Sequence, residues 1–133
     1  MFKWDDKYSV GIQTIDEQHK EIFRILDKLY SLLKAGKLEC LLKEIIPELE
    51  NYTIFHFQRE EFYFHKFSYI DSDKHIAEHE NFIIKMKEMK SDIEMGRISL
   101  GFDLMLYLKT WIDHHILVID KKYVESLKDK IKE

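Results

Sequence analysis

With 133 residues, 45% of them apolar and 35% charged, the chain is long enough to bury one real core and too evenly mixed to be disordered or membrane-embedded. Four glycines and one proline give too little punctuation for a many-stranded β fold, and the excess of Lys, Glu, Leu and Ile points to an all-α domain over residues 1–133. A net charge of −4, with no basic stripe interleaved with aromatics, argues against nucleic acid as a partner.

Cys40 is the only cysteine, which excludes an intramolecular disulfide and fits a reducing compartment. The N-terminus lacks an apolar run of signal-peptide length, and no segment is apolar for long enough to span a bilayer. The expectation is a soluble cytoplasmic protein without a membrane partner.

Residues 1–12 read as an arm without regular periodicity that ends at Gly11. Thr14-Ile15-Asp16-Glu17 then matches a capping box and opens the first helix, whose apolar stripe runs Ile15, His19, Ile22, Leu26, Leu29 and Leu33 before Gly36 offers a left-handed stop. The second helix is expected to start near Leu38, with Leu42, Ile45, Leu49, Tyr52 or Thr53, His56, Glu60 and Phe64 on one side. Pro47 interrupts it, so a kink or a short separate turn is expected before a helix beginning near residue 47.

Ser68 to Ser72 reads as a turn with Asp71 or Ser72 as the next N-cap. The third helix carries His75, His79, Phe82, Met86, Met89 and Ile93 and stops at Gly96. The fourth starts after Ile98-Ser99, carries Leu104, Leu108, Trp111 and His115, and leads at Lys121-Lys122-Tyr123 into a short amphipathic tail. Four long helices with short connections predict an antiparallel up-down-up-down four-helix bundle with an N-terminal arm and a short C-terminal helix.

Each helix places a histidine on its inward stripe. His19 lies near the start of the first helix, His56 and Glu60 toward the end of the second, His75 and His79 at the start of the third, and His115 near the end of the fourth. In an up-down bundle these positions meet at one end of the core. His56 and Glu60, like His75 and His79, are four apart and share a helix face. A carboxylate in that setting needs a cation, a proton or a metal.

Asp120 breaks the spacing. It follows His115 by five residues, which on a regular helix separates the two by roughly 140°. A shared site therefore requires a π-type bulge or a terminating turn around Val118-Ile119.

Five histidines, one glutamate and one aspartate are too many donors for a tetrahedral zinc site. Two metals fit better. If Glu60, Asp120 and a solvent-derived oxygen bridge both, three histidines complete a six-coordinate ion and two leave the other with one open position. Nitrogen and carboxylate donors without thiolate suit iron or manganese. His65 and His114 fall off the stripes and read as solvated or as neighbours of a ligand, and Glu61 and Glu78 read first as surface charges and second as groups that orient a ligand histidine.

These residues carry a family resemblance. Trp4-Asp5, Ser9-Val10-Gly11, Ile15-Asp16-Glu17-Gln18-His19, His56-Phe57-x-x-Glu60-Glu61, His75-x-x-x-His79 and Trp111-x-x-x-His115-Ile116-Leu117-x-x-Asp120-Lys121-Lys122-Tyr123 together resemble a single-domain bacterial-type hemerythrin. The resemblance implies an oxo- or hydroxo-bridged di-iron centre with two iron ions per chain. His75, His79 and His115 would hold one ion, His19 and His56 the other, and Glu60 and Asp120 would bridge.

It further implies reversible dioxygen binding at the two-histidine ion, for storage, transport or delivery, behind a wall of Trp111, Ile112, Ile116 and Ile119. A protein acceptor of the oxygen would be a further partner. The expected role is not enzymatic, with room for minor peroxidase- or oxidase-like activity; the alternative is a di-iron redox enzyme or an oxygen or redox sensor. Three positions depart from the family pattern: Val118-Ile119 where relatives often have Gly-Ser, Ile70 where they often have Pro, and Pro47.

Overall fold

The computed structural model describes residues 3–96 and 99–131, so Met1 and Phe2 of the arm and Ile98 at the expected start of the fourth helix lie outside it. Its helices are α1 (Gln13–Lys34), a single turn α2 (Leu38–Cys40), α3 (Ile46–Lys66), α4 (Ser72–Glu94), α5 (Ser99–His114) and α6 (Lys121–Leu127). The four long ones form an antiparallel bundle in which α1 and α4 each pack against both α3 and α5. No strand occurs among the described residues.

The arm is more ordered than its lack of periodicity suggested. Asp6–Tyr8 form a 3-10 turn, capped by the Asp5 carboxylate on the amide of Lys7 at 2.9 Å. Tyr8 is buried, packs at a tilt against Trp4 and Phe23, and donates its hydroxyl proton to Asp113 of α5 at 2.6 Å.

The expected capping box is not the start of α1. Ile12 holds the N-cap position without a side-chain cap, and Thr14 lies one residue inside the helix. Asp16 instead reaches back to the arm, accepting from the Ser9 hydroxyl at 2.5 Å and the Val10 amide at 2.8 Å. The stop at Gly36 is as expected: φ is +68°, and the amides of Gly36 and Lys37 bond the carbonyls of Leu33 and Leu32, a Schellman ending.

The break expected at Pro47 is found, with the single turn α2 set off before a helix that begins at Ile46. The stretch Leu41–Ile45 winds as a π-helix, and the α-helical run resumes at Ile46, with the proline in its first turn where its missing N–H matters least. The wider winding also turns the buried face, so Leu41 and Ile46 are buried where Leu42 was expected.

Asp71 holds the N-cap position of α4 without a side-chain cap; its carboxylate pairs with Lys122 at 2.8 Å. Two apolar clusters result. The larger spans the bundle from Leu33 and Ile93 to Ile22, Phe57, Ile112 and Ile116. The smaller gathers Ile12, Ile15, Phe64, Tyr69, Tyr123, Val124 and Leu127. The inward polar residues lie between the two.

Candidate metal centre

The backbone between α5 and α6 decides the site. His115–Asp120 winds as a π-helix, the irregularity that the five-residue spacing demanded, and it brings Asp120 Oδ1 to 3.0 Å from His115 Nε2. The branched pair Val118-Ile119 does not prevent this path; Val118 points outward and is half exposed.

His19, His56, Glu60, His75, His79, His115 and Asp120 are all buried, none more than 4% exposed. Their atoms fall into two sets able to hold a metal ion. One is Glu60, His75, His79 and His115; the other is His19, His56, Glu60 and Asp120.

Glu60 belongs to both. Its Oε1 lies 3.2 Å from His79 Nε2 and 3.5 Å from His56 Nε2. Asp120 also spans them, with Oδ2 3.0 Å from His19 Nε2 and Oδ1 3.1 Å from His75 Nε2.

These approaches are not hydrogen bonds. Both oxygens of Glu60, both of Asp120 and Nε2 of His19, His75, His79 and His115 are buried without a hydrogen-bond partner. Leaving so many polar atoms unsatisfied in one place is costly unless a further group accepts their lone pairs. Five imidazoles and two carboxylates offer lone pairs and two negative charges, which suits a pair of divalent cations.

The charges in the cluster also pull imidazoles apart. Burial drives the His56 ring down to about 4, against the pull of Glu60. His115 moves the other way: burial opposes its charge, but Asp120, Glu60 and Glu78 together hold it well above the ordinary imidazole range. Burial works to raise the Glu60 and Asp120 carboxyls, and the surrounding imidazoles keep both below the usual carboxylate range.

Aromatic rings fix the ligand rings. Phe57 stacks on His79 with centroids 3.7 Å apart and planes 4° apart, and Trp111 stacks on His115 at 4.2 Å and 12°. Tyr52 stacks on His56. The hydroxyl of Tyr123 is buried beside the carboxylates without a hydrogen-bond partner.

A cavity of about 10 Å³ adjoins the smaller histidine set, lined by His19, Ile22, His56, Phe57, Trp111, Ile112, His115, Ile116 and Asp120. Three of the four expected wall residues are present. Ile119 is not: it lines a different cleft of about 220 Å³ with Tyr69, Asp71, Lys74, His75, Glu78 and Lys122. The π-turn carries it to the opposite side from Ile116. Ile22 and Phe57, which sequence alone did not place in the wall, complete it from α1 and α3.

Glu61 and Glu78 follow the second of their two readings. Each is about one-third exposed rather than a free surface charge. Glu61 Oε2 accepts from His79 Nδ1 at 3.0 Å, and Glu78 Oε1 faces His115 Nδ1 at 3.7 Å. Gln18, missed entirely, accepts from His56 Nδ1 through its side-chain carbonyl at 2.6 Å, and its main-chain carbonyl accepts from the Tyr52 hydroxyl. Its only sequence signal was adjacency to His19. His65 and His114 are exposed, as expected.

Fold and site together define a class: an all-α bundle whose core holds two histidine-rich donor sets joined by shared carboxylates. The chain belongs to the hemerythrin family, whose model, the hemerythrin HHE cation binding domain, matches residues 10–127. It is 34% identical over 130 residues to a bacteriohemerythrin of Clostridium acetobutylicum, covering 94% of this chain and 100% of that one. A bacteriohemerythrin of Pseudomonas aeruginosa is 33% identical over 130 residues, with 98% and 84% covered. Among solved structures, a wild-type hemerythrin superposes with a TM-score of 0.83 at 26% identity, over 91% of this chain and 93% of that one.

Proposed function

We infer that this chain is a non-haem di-iron protein that binds dioxygen reversibly, for storage, transport or delivery, and that it works as one hemerythrin-like domain over residues 1–133. His75, His79 and His115 would hold one iron, His19 and His56 the other, and Glu60 and Asp120 would span both. When bound, a ferrous pair supplies the two electrons with which dioxygen is reversibly held.

The observation that carries the reading is the small apolar cavity against His19 and His56, the set with one histidine fewer. Ile22, Ile112, Ile116 and Trp111 keep it apolar and small, which suits a small apolar guest over bulk water. Phe57 and Trp111 hold the His79 and His115 rings in place, and the dry walls keep protons away from a reduced guest.

An enzymatic role is disfavoured by the donor set. Oxygen-activating di-iron bundles use carboxylate-rich sites with Glu-x-x-His spacing, whereas five imidazoles and two carboxylates meet here. A cytoplasmic setting belongs to the same reading: Cys40 is unpaired, and no helix among the described residues is long and apolar enough to cross a membrane.

The test is a metal count on protein reduced without air, followed by absorption spectra before oxygen, with oxygen and after its removal. Two irons per chain and a charge-transfer band that appears and reverses are expected. Irreversible oxidation would turn the reading toward a redox enzyme or sensor, and absence of paired iron would overturn it.

A further inference from the structure

The partners of the ligand rings differ in charge between the two donor sets. In the three-histidine set, His79 Nδ1 meets the Glu61 carboxylate at 3.0 Å, His115 Nδ1 faces the Glu78 carboxylate at 3.7 Å, and His75 Nδ1 has no hydrogen-bond partner. In the two-histidine set, His56 Nδ1 meets the neutral amide oxygen of Gln18 at 2.6 Å, and His19 Nδ1 has no hydrogen-bond partner. Every ring whose Nε2 faces Glu60 or Asp120 must carry its proton on Nδ1 to present a lone pair inward. The group on Nδ1 therefore determines how much negative charge each ring passes toward its ion.

A carboxylate on Nδ1–H draws the proton partly away, makes the imidazole a stronger donor, and adds its own charge close to the metal. An amide fixes ring orientation equally well and does neither. Glu61 accepts from His79 Nδ1 at hydrogen-bond distance, 3.0 Å, whereas Glu78 stands 3.7 Å from His115 Nδ1, beyond it. Glu61 is therefore the stronger of the two.

We propose that Glu61, with Glu78 in support, and Gln18 are positioning residues that polarise the centre. The charged partners make the His75, His79 and His115 position the tighter and more electron-rich one, and the neutral Gln18 keeps the His19 and His56 position, beside the cavity, weaker in both respects. Gln18 is further locked in place because its main-chain carbonyl takes the Tyr52 hydroxyl proton while the Tyr52 ring stacks on His56. The inference rests on the two-metal part of the functional reading and not on dioxygen.

The test uses metal-free full-length protein titrated with cobalt(II), and the midpoint potential of the iron-loaded protein. Glu61→Gln keeps a hydrogen-bond acceptor and removes the charge; Gln18→Glu does the reverse on the other side. Wild type is expected to bind cobalt in two resolved steps. Glu61→Gln weakens the first about 10- to 100-fold, the range for changing a partner of a metal-bound histidine, and raises the iron potential. Gln18→Glu strengthens the second step and lowers the potential.

If Glu61→Gln leaves the first step within threefold and the potential unmoved, only ring orientation matters and the proposal is overturned; an inert Gln18→Glu overturns it likewise. Absence of two cobalt steps in wild type would sink the two-metal reading itself. Cobalt steps and potentials that respond as described, in a protein that takes up no dioxygen, would support the polarity and overturn only the oxygen-binding function.

Discussion

Asp120 sits with Oδ1 3.0 Å from His115 Nε2, although a spacing of five residues would point the two side chains apart on an α-helix. The π-turn His115–Asp120 closes that angle. Asp120→Ala removes the carboxylate that this turn delivers and leaves the winding itself in place. The His75, His79, His115 and Glu60 set stays intact. Metal analysis should fall from two ions per chain toward one while circular dichroism keeps its helical signal, and two retained ions would show that Asp120 is dispensable.

Glu60 belongs to both donor sets. Glu60→Ala should therefore lose both ions, whereas His114→Ala, exposed and one residue from a ligand, should lose neither. Elemental analysis of the two proteins decides the assignment; equal metal content in both would refute it.

The pH behaviour of the metal-free protein follows from two imidazoles shifted in opposite directions. His56 is driven down to about 4, so between roughly 6.5 and 4 the unfolded chain binds a proton there that the folded chain refuses. Stability from His56 is thus complete above about 6.5 and is lost as pH falls through that window, by roughly 3 kcal/mol. His115 has the opposite sign: its raised value contributes stability below about 6.5 that is lost as pH rises through the folded value. Ring-proton NMR of the metal-free protein should show His56 titrating well below, and His115 well above, the ordinary range. A common midpoint near 6.5 would contradict both shifts.

Much of this arrangement was legible because periodicity and spacing are local. His19, His56, Glu60, His75 and His79 fall on stripes that repeat every three or four residues, so their burial followed from the apolar neighbours. The π-turn at His115–Asp120 was legible for a different reason: a conflict between ligand spacing and helix geometry had few resolutions.

What stayed hidden depends on contacts between helices. Gln18 meets His56 across 38 residues of chain, and no pattern within one helix announces such a pair. Ile119 was misplaced, and Leu42 was preferred over Leu41, because an i→i+5 stretch turns the buried face away from its α-helical course. The arm was underestimated because Tyr8 finds its partner, Asp113, 105 residues away.

That arm contact can be tested by itself. Tyr8 is buried, its hydroxyl donates to Asp113 at 2.6 Å, and Lys109 holds the same carboxylate at 3.1 Å. Tyr8→Phe keeps the ring packed against Phe23 and removes the bond, at about 1 kcal/mol. Protease should then cut the arm before residue 12 faster than in wild type while the bundle stays whole. An unchanged cleavage rate would show that ring packing alone holds the arm.

Ile116 links packing to the proposed function, since it is 1% exposed and forms part of the wall of a cavity of about 10 Å³. Such a space is at the lower limit for one water molecule. Ile116→Val removes one methylene for about 0.5–1.5 kcal/mol, and Ile116→Ala removes enough for a water to settle beside His19 and His56, at about 2–5 kcal/mol. In iron-loaded protein the lifetime of the oxygenated form should shorten in the order wild type, valine, alanine, because each step admits more water to a site that depends on dryness. The decay of its visible band is the measurement. Equal decay in all three would mean that the cavity against His19 and His56 is not where dioxygen sits, even if the protein binds it.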